Sequence, residues 1–257
     1  MHRLSYLVLA LCLTSSTLTF ADDKPIRILL VTGGCCHDYD FQTAQMKKAL
    51  KRNKVAAEWT VVNEGGKGTR GKIALYDNKD WGKGYDVVIH NECFANTTDE
   101  EYIRRITKAH KDGVNAVVIH CAMHTYRAAK IDDWREFLGV TSTHHEHKSE
   151  YGVRVVAAKH PIMQGFPKDY KTPKDELYIV KKVWPNTKVL ATSVSEKNKK
   201  LHPIMWTNQY GKARVFGTTY GHSRETFADE TFLNVISKAV QWSAGRIGEP
   251  SVKDAKK

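Results

Sequence analysis

The 257-residue sequence is short of the motifs that would fix its chemistry at once. HExxH is absent, which excludes the two-histidine helix of a metalloprotease. Among only five cysteines there is no CxxC spacing, so a thiolate zinc ribbon and a thioredoxin-like pair are excluded as well. Gly33-Gly34 follow the first apolar run, but they do not make GxGxxG. No acidic residue about twenty positions on completes a dinucleotide fingerprint, so no nicotinamide cofactor is expected. A Walker loop, an RNP-like motif and a long basic run are missing too.

Long apolar runs are equally scarce. Leu4–Leu13 is the one candidate, and it is too short for a comfortable membrane span. His2 and Arg3 precede it and Thr19-Phe20-Ala21 follow it, so residues 1–21 read as a cleaved secretory signal peptide. Leu11 occupies the place where a lipoprotein needs a small residue, which excludes lipidation at Cys12. The mature chain is expected to start at Asp22, to be exported to the periplasm or the extracellular space, and to keep no membrane contact after cleavage.

Hydrophobic residues make up 41% and charged residues 26%, values of neither a disordered chain nor a polytopic membrane protein. Lys plus Arg number 40 against 28 Asp plus Glu, a net +12 that becomes +11 once the leader's single Arg is removed. The basic residues are scattered, so they read as a solvated surface rather than a nucleic-acid site.

What is present is an alternation of strand and helix. Ile26–Thr32 is a continuous apolar run typical of a buried parallel strand. Phe41–Arg52 has helical periodicity, and Ala57–Asn63 reads as a second strand. Asp86–His90 is a third strand, Asp99–Asp112 a helix capped by Thr98 and stopped by Gly113, and Asn115–His120 a fourth strand. Farther on, Trp134–Leu138 reads as a short helix. Gly152–Ala158, Lys188–Thr192, Pro203–Asn208 and Arg214–Thr218 read as strands, and Thr231–Trp242 as the closing helix. Right-handed βαβ crossovers then give an open α/β sheet, mostly parallel, with helices on both faces and an antiparallel extension. Residues 22–247 form one domain in this reading, and 248–257 a polar C-terminal tail.

Ligands of open α/β sheets bind beyond the carboxyl ends of the strands. Histidines collect there: His37 after strand one, His90 at the end of strand three, His120 and His124 after strand four, and His222 after the late strand. Gly34 lets the backbone come close, and Glu92 and Glu176 are the carboxylates to watch. Glu176 lies in Asp175-Glu176-Leu177-Tyr178 and is suited to orienting a histidine or to acid–base work, or else to pairing with lysine at the surface. Thr143-His144-His145-Glu146-His147 reads as a polar loop. Imidazoles suit a divalent metal such as zinc, with His120, His124, His145 and His147 as candidate ligands. Cys121 lacks the glycines of a nucleophile elbow and reads as a small lining residue. Cys35, Cys36 and Cys93 read as small residues of turns and core as readily as bridged ones. His110 is expected on the exposed face of its helix.

Eight blocks in order give a resemblance that covers Ile26–Arg246. They are ILLVTGGCCH (28–37), YDVVIH (85–90), GVNAVVIHCAMH (113–124), WREFLG (134–139), HPIMQG (160–165), DELY (175–178), PIMW (203–206) and GKARVFGTTYGH (211–222). Together they resemble the trehalose-utilisation (ThuA-like) family. That resemblance implies a flavodoxin-like sheet, similar to class I glutamine amidotransferases, and a role in breaking down glucosides through keto-sugar intermediates. It also implies His37, His120, His147, Glu176 and His222 as site residues. The Cys35-Cys36 pair and HCAMH depart from common members, and amidotransferase activity is not carried over because the glycine-flanked nucleophile is lacking.

The expectation is an exported enzyme acting on a glycoside or keto-glycoside, with His37, His120, Glu176 and His222 as catalytic residues. Gly34, His90, Glu92, His124, His147, Trp206 and Tyr220 would contact the small carbohydrate. A non-catalytic sugar-binding or accessory protein using the same cleft is the alternative, and a metal-dependent hydrolase of another polar substrate the third. No cofactor beyond a divalent metal is expected, and a homo-oligomer is left open.

Overall fold

A computed structural model describes residues 24–248. The expected leader and all but the first residue of the polar tail lie outside them.

The first apolar run becomes β1 (Ile26–Gly34), with Ile28, Leu29, Leu30 and Val31 wholly buried, as a strand covered on both faces must be. It is followed by α1 (Tyr39–Arg52), β2 (Ala57–Asn63), β3 (Val87–Cys93), α2 (Glu100–Asp112) and β4 (Ala116–Ile119). The cap of α2 is Asp99 rather than Thr98: its carboxylate accepts from the Tyr102 amide at 3.0 Å. Then come α3 (Asp133–Leu138), β5 (Val140–Ser149), β6 (Arg154–Val155), β7 (Asp175–Val183), β8 (Thr187–Val194), β9 (Leu201–Tyr210), β10 (Ala213–Thr218), α4 (Arg224–Ala228) and α5 (Glu230–Ser243).

The main sheet has eight strands in the order β2-β1-β3-β4-β10-β9-β8-β6. The first five are parallel, and β9, β8 and β6 add the expected antiparallel extension. One face packs against α1 and α5, through Ile28, Leu30, Ile89, Met46 and Ile236. The other packs against α2 and α3, through Leu29, Val31, Val88, Ile106 and Phe137. The expected α/β sheet with helices on both faces is therefore present. The strand read over Gly152–Ala158 shrinks to the two residues of β6, because only Arg154 and Val155 find ladder partners, on β8.

The polar His-rich segment is not a loop. It is β5, which pairs antiparallel with β7 in a separate two-stranded ribbon. The register slips between Ser142 and His145 and again between His145 and Lys148, so strict alternation is lost. No helix among the described residues is long and apolar enough to cross a membrane.

Candidate active site

Because β1, β3, β4 and β10 run parallel, their carboxyl ends share one rim. The order β2-β1-β3 places the topological switch between β1 and β3, where a crevice opens. The rim and the overhanging ribbon enclose a cavity of ≈ 250 Å³. It is lined by His37, His120, His124 and His222 from the strand ends and by His145, Glu176 and Tyr178 from the ribbon, with Arg127 and the cysteines alongside.

Local backbone sets these positions. Gly34 has φ +90, and a Cβ there would stand 2.3 Å from the Cys93 carbonyl oxygen. Only glycine therefore lets β1 and β3 close at this point. Gly221, at φ +133, packs against Ile119 and His120, where a Cβ would meet Ile119 Cγ2 at 2.7 Å. His120 itself has φ +46, a strained conformation for a non-glycine residue, in the short 3₁₀ turn His120–Met123. The chain after β4 is this 3₁₀ turn and not an α-helix, so His120 and His124 do not act as an i, i+4 pair. They flank Tyr178 instead, with His124 stacked on its ring at 3.9 Å.

Hydrogen bonding assigns the tautomers. His120 Nδ1 donates to the Thr219 carbonyl at 2.6 Å, which leaves the Nε2 lone pair facing the pocket. That nitrogen lies 3.2 Å from His222 Nδ1, 3.3 Å from the Tyr178 hydroxyl and 3.6 Å from Glu176 Oε2. His37 Nδ1 donates to the His222 carbonyl at 3.3 Å. Glu176 Oε2 is also 3.4 Å from His145 Nδ1 and 3.4 Å from His222 Nδ1.

Burial is the main electrostatic force. It lowers His37 and His222 to about 4, with His37 and Lys148 adding repulsion at His222, and holds His120 well below the ordinary imidazole value. At neutral pH His37, His120 and His222 are uncharged. Burial raises Glu176, while His145 and Lys148 pull it back. The result is a carboxylate poised for proton exchange beside the uncharged His120 and His222.

The four cysteines among the described residues form two disulfides, Cys35–Cys36 and Cys93–Cys121, and Cys35 Sγ lies 3.6 Å from Cys93 Sγ. Cys121 does line the cavity, but as half of a bridge.

Asp175 was not singled out by the sequence. Fully buried, it accepts from the amides of Glu176 at 2.7 Å, Gly221 at 3.0 Å and His222 at 3.2 Å, and from the Thr226 hydroxyl at 2.5 Å. Burial pushes it up to about 6 despite these donors. It ties the ribbon to the turn that carries His222. Tyr178, Arg127 and the Thr219 carbonyl are further site groups that the sequence reading passed over.

Other expected site residues lie elsewhere. His90 and Glu92 are wholly buried beneath α2 and α3. His90 Nε2 is 2.9 Å from His110 Nε2, and His90 Nδ1 is 2.9 Å from Glu92 Oε1. His110 is thus a core residue, not an exposed one. Trp206 is buried with its indole donating to the Leu138 carbonyl at 2.7 Å, and Tyr220 is buried with its hydroxyl on Ser193. Neither offers a face to a sugar. His147 is half exposed outside the cavity, paired with Glu196 at 2.9 Å.

The sequence model of one family, Trehalose utilisation (ThuA), matches residues 27–243. The chain belongs to the ThuA family. Membership supports a carbohydrate-related role. A ThuA-like protein of Parabacteroides merdae is 21% identical, with a TM-score of 0.71 over 90% of this chain and 94% of that one. A cytoplasmic protein of Salmonella typhimurium is 12% identical, with a TM-score of 0.58 over 84% of this chain and 98% of that one. A cold-adapted β-galactosidase of a Rahnella species matches at 15% identity and a TM-score of 0.53, over 83% of this chain but only 31% of the enzyme. At such identities the likeness is one of fold, the ThuA-like sheet shared with glutamine amidotransferases. Comparison with curated proteins gives no match.

Proposed function

We propose that this ThuA-family protein processes a glycoside or keto-glycoside in the strand-end cavity by proton transfer. The observation that carries the reading is Glu176: one carboxylate oxygen held 3.4–3.6 Å from three imidazoles at the cavity wall. A hydrogen on a carbon next to a sugar carbonyl is acidic enough for such a carboxylate to remove. The C–H electron pair moves toward the carbonyl oxygen as Glu176 takes the proton. The glycosidic oxygen then leaves with its bonding pair and receives a proton from the site. His222 is the partner for that return, because it borders the cavity and its Nδ1 faces Glu176. Arg127 and Tyr178 supply polar contacts for hydroxyl groups. The leader and the two bridged cysteine pairs support work in an oxidising, exported compartment.

Turnover of a synthetic keto-glycoside tests this. The unmutated protein should release the aglycone, and Glu176→Gln should lower kcat by roughly 10²–10⁴ with KM little changed. Binding without release, unaffected by Glu176→Gln, would instead identify the cavity as a non-catalytic sugar site.

A further inference from the structure

We propose that His37, His120 and His222 form a three-imidazole site for a divalent first-row transition metal, with zinc as its simplest occupant. One ring nitrogen from each lies within 4.8 Å of the other two, the spacing of ligands around one ion. These three differ from the set the sequence suggested. Of that set only His120 remains: His147 is turned toward Glu196, and His124 Nε2 is engaged by Ser142 at 3.0 Å.

The second observation is an orphan. His37 Nε2 is buried and has no hydrogen-bond partner, a costly arrangement for an imidazole that is otherwise anchored. The anchors are those of metal-binding histidines, whose second nitrogen donates to a carbonyl and so aims the first. His37 Nδ1 donates to His222 O, and His120 Nδ1 to Thr219 O. Both therefore present unprotonated Nε2 atoms. The third donor is His222 Nδ1, which now shares a proton with His120 Nε2 across 3.2 Å. On metal entry that proton moves to His222 Nε2, so no proton is released and no electron is exchanged.

Glu176 Oε2 stands within 3.6 Å of two of the ligand nitrogens, placed to hold a metal-bound water or to complete the ligand set. The cavity leaves the remaining side open, the pattern of a catalytic rather than a structural ion. The neighbouring sulfurs are bridged and offer no thiolate. An imidazole-rich set with one carboxylate suits zinc and its neighbours over calcium or magnesium. With the ion bound, His222 Nδ1 is a ligand and the proton returns from Glu176 itself; what the ion would do there, polarising a sugar carbonyl or hydroxyl, rests on the sugar-processing reading, and its binding does not.

Full-length mature protein, stripped with a chelator and kept oxidised, is titrated with zinc by calorimetry and with cobalt(II) by visible absorption. One equivalent should bind. His37→Ala, His120→Ala and His222→Ala should each weaken zinc by more than the roughly 10–100-fold that loss of a supporting partner costs. His147→Ala should bind as the unmutated protein does. Sub-stoichiometric binding, or ligand variants that melt normally and bind normally, would overturn the site. If the buried His120→Ala fails to fold, the partly exposed His37 and His222 variants decide. The titration contains no sugar, so the two readings fail separately. Zinc bound without keto-glycoside turnover sinks only the reaction, and turnover by stripped protein that takes up no zinc sinks only the metal.

Discussion

Replacing His110 by alanine removes a ring that lies at the end of a buried relay. His110 Nδ1 donates to the Val114 carbonyl at 2.7 Å, so its Nε2 must accept from His90 Nε2 at 2.9 Å. His90 Nδ1 then lies 2.9 Å from Glu92 Oε1. The His110 ring also stacks on Phe137 at 4.2 Å. Emptying a buried aromatic site costs about 3–5 kcal/mol for Phe or Trp, and the smaller imidazole about 2. Two buried groups, the His90 N–H and the Val114 carbonyl, then lose partners at about 1–3 kcal/mol each. The expected loss is at least about 4 kcal/mol, or roughly 8 °C or more in Tm for a chain of this size. Urea and thermal unfolding followed by circular dichroism measure it, with half-exposed His147→Ala as the control, expected within about 0.5 kcal/mol. Burial, and then His90, hold His110 well below the ordinary imidazole value. The unfolded chain takes up a proton as pH falls through about 6.5 that the folded chain refuses. Stability from this group is therefore complete above that pH and is lost on acidification. The variant should lack that increment of acid sensitivity. A loss below about 1 kcal/mol, or an unchanged acid limb, would mean that the relay is not formed.

Four further outcomes are expected. His222→Ala should lower keto-glycoside turnover by roughly 10²–10⁴ and stability by under about 1 kcal/mol, as kcat and a melt together report. Asp175→Asn puts an amide NH₂ against the N–H groups of Gly221 and His222, so zinc affinity should fall along with about 1–3 kcal/mol of stability; unchanged zinc binding would remove Asp175 from the role of positioning His222. Gly217→Ala would set a Cβ 2.3 Å from Trp206 Cζ2 and should cost about 1–3 kcal/mol by chemical denaturation, with no change in KM. N-terminal sequencing of exported protein should begin at Asp22, and an intact Met1 would refute cleavage.

The parallel half of the fold was legible because buried strands write themselves as apolar runs. Ala57–Asn63 is β2 residue for residue, and Ile26–Thr32 falls only two residues short of β1. The cluster of His37, His120 and His222 was legible for the same reason: parallel strands end on one rim, so residues just past those ends must meet. The ribbon was not legible. Half exposed and broken by register slips, β5 carries neither an apolar run nor a clean alternation, and Thr143-His144-His145-Glu146-His147 looks like any polar loop. The error over His90 and Glu92 has a different cause. The apolar run of strand three stops at His90, but the strand runs on to Cys93, so His90 sits mid-strand. With a period of two it shares a face with Val88, which packs under α2 and α3.

That same period would have found Asp175. Adjacent residues on a strand point to opposite faces, so Asp175 and Glu176 cannot both look into one cavity. If Glu176 faces the histidines, Asp175 must enter the protein, and a buried carboxylate persists only where several donors meet it. Apolar neighbours supply none. Donors free of ladder partners are found where a strand has just ended, and Gly221 and His222 follow shortly after the late strand ends at Thr218. Their amides are the ones Asp175 accepts, at 3.0 and 3.2 Å. One acid of the pair therefore faces the cavity while the other fixes the backbone of His222, and the order of the two along the chain decides which is which.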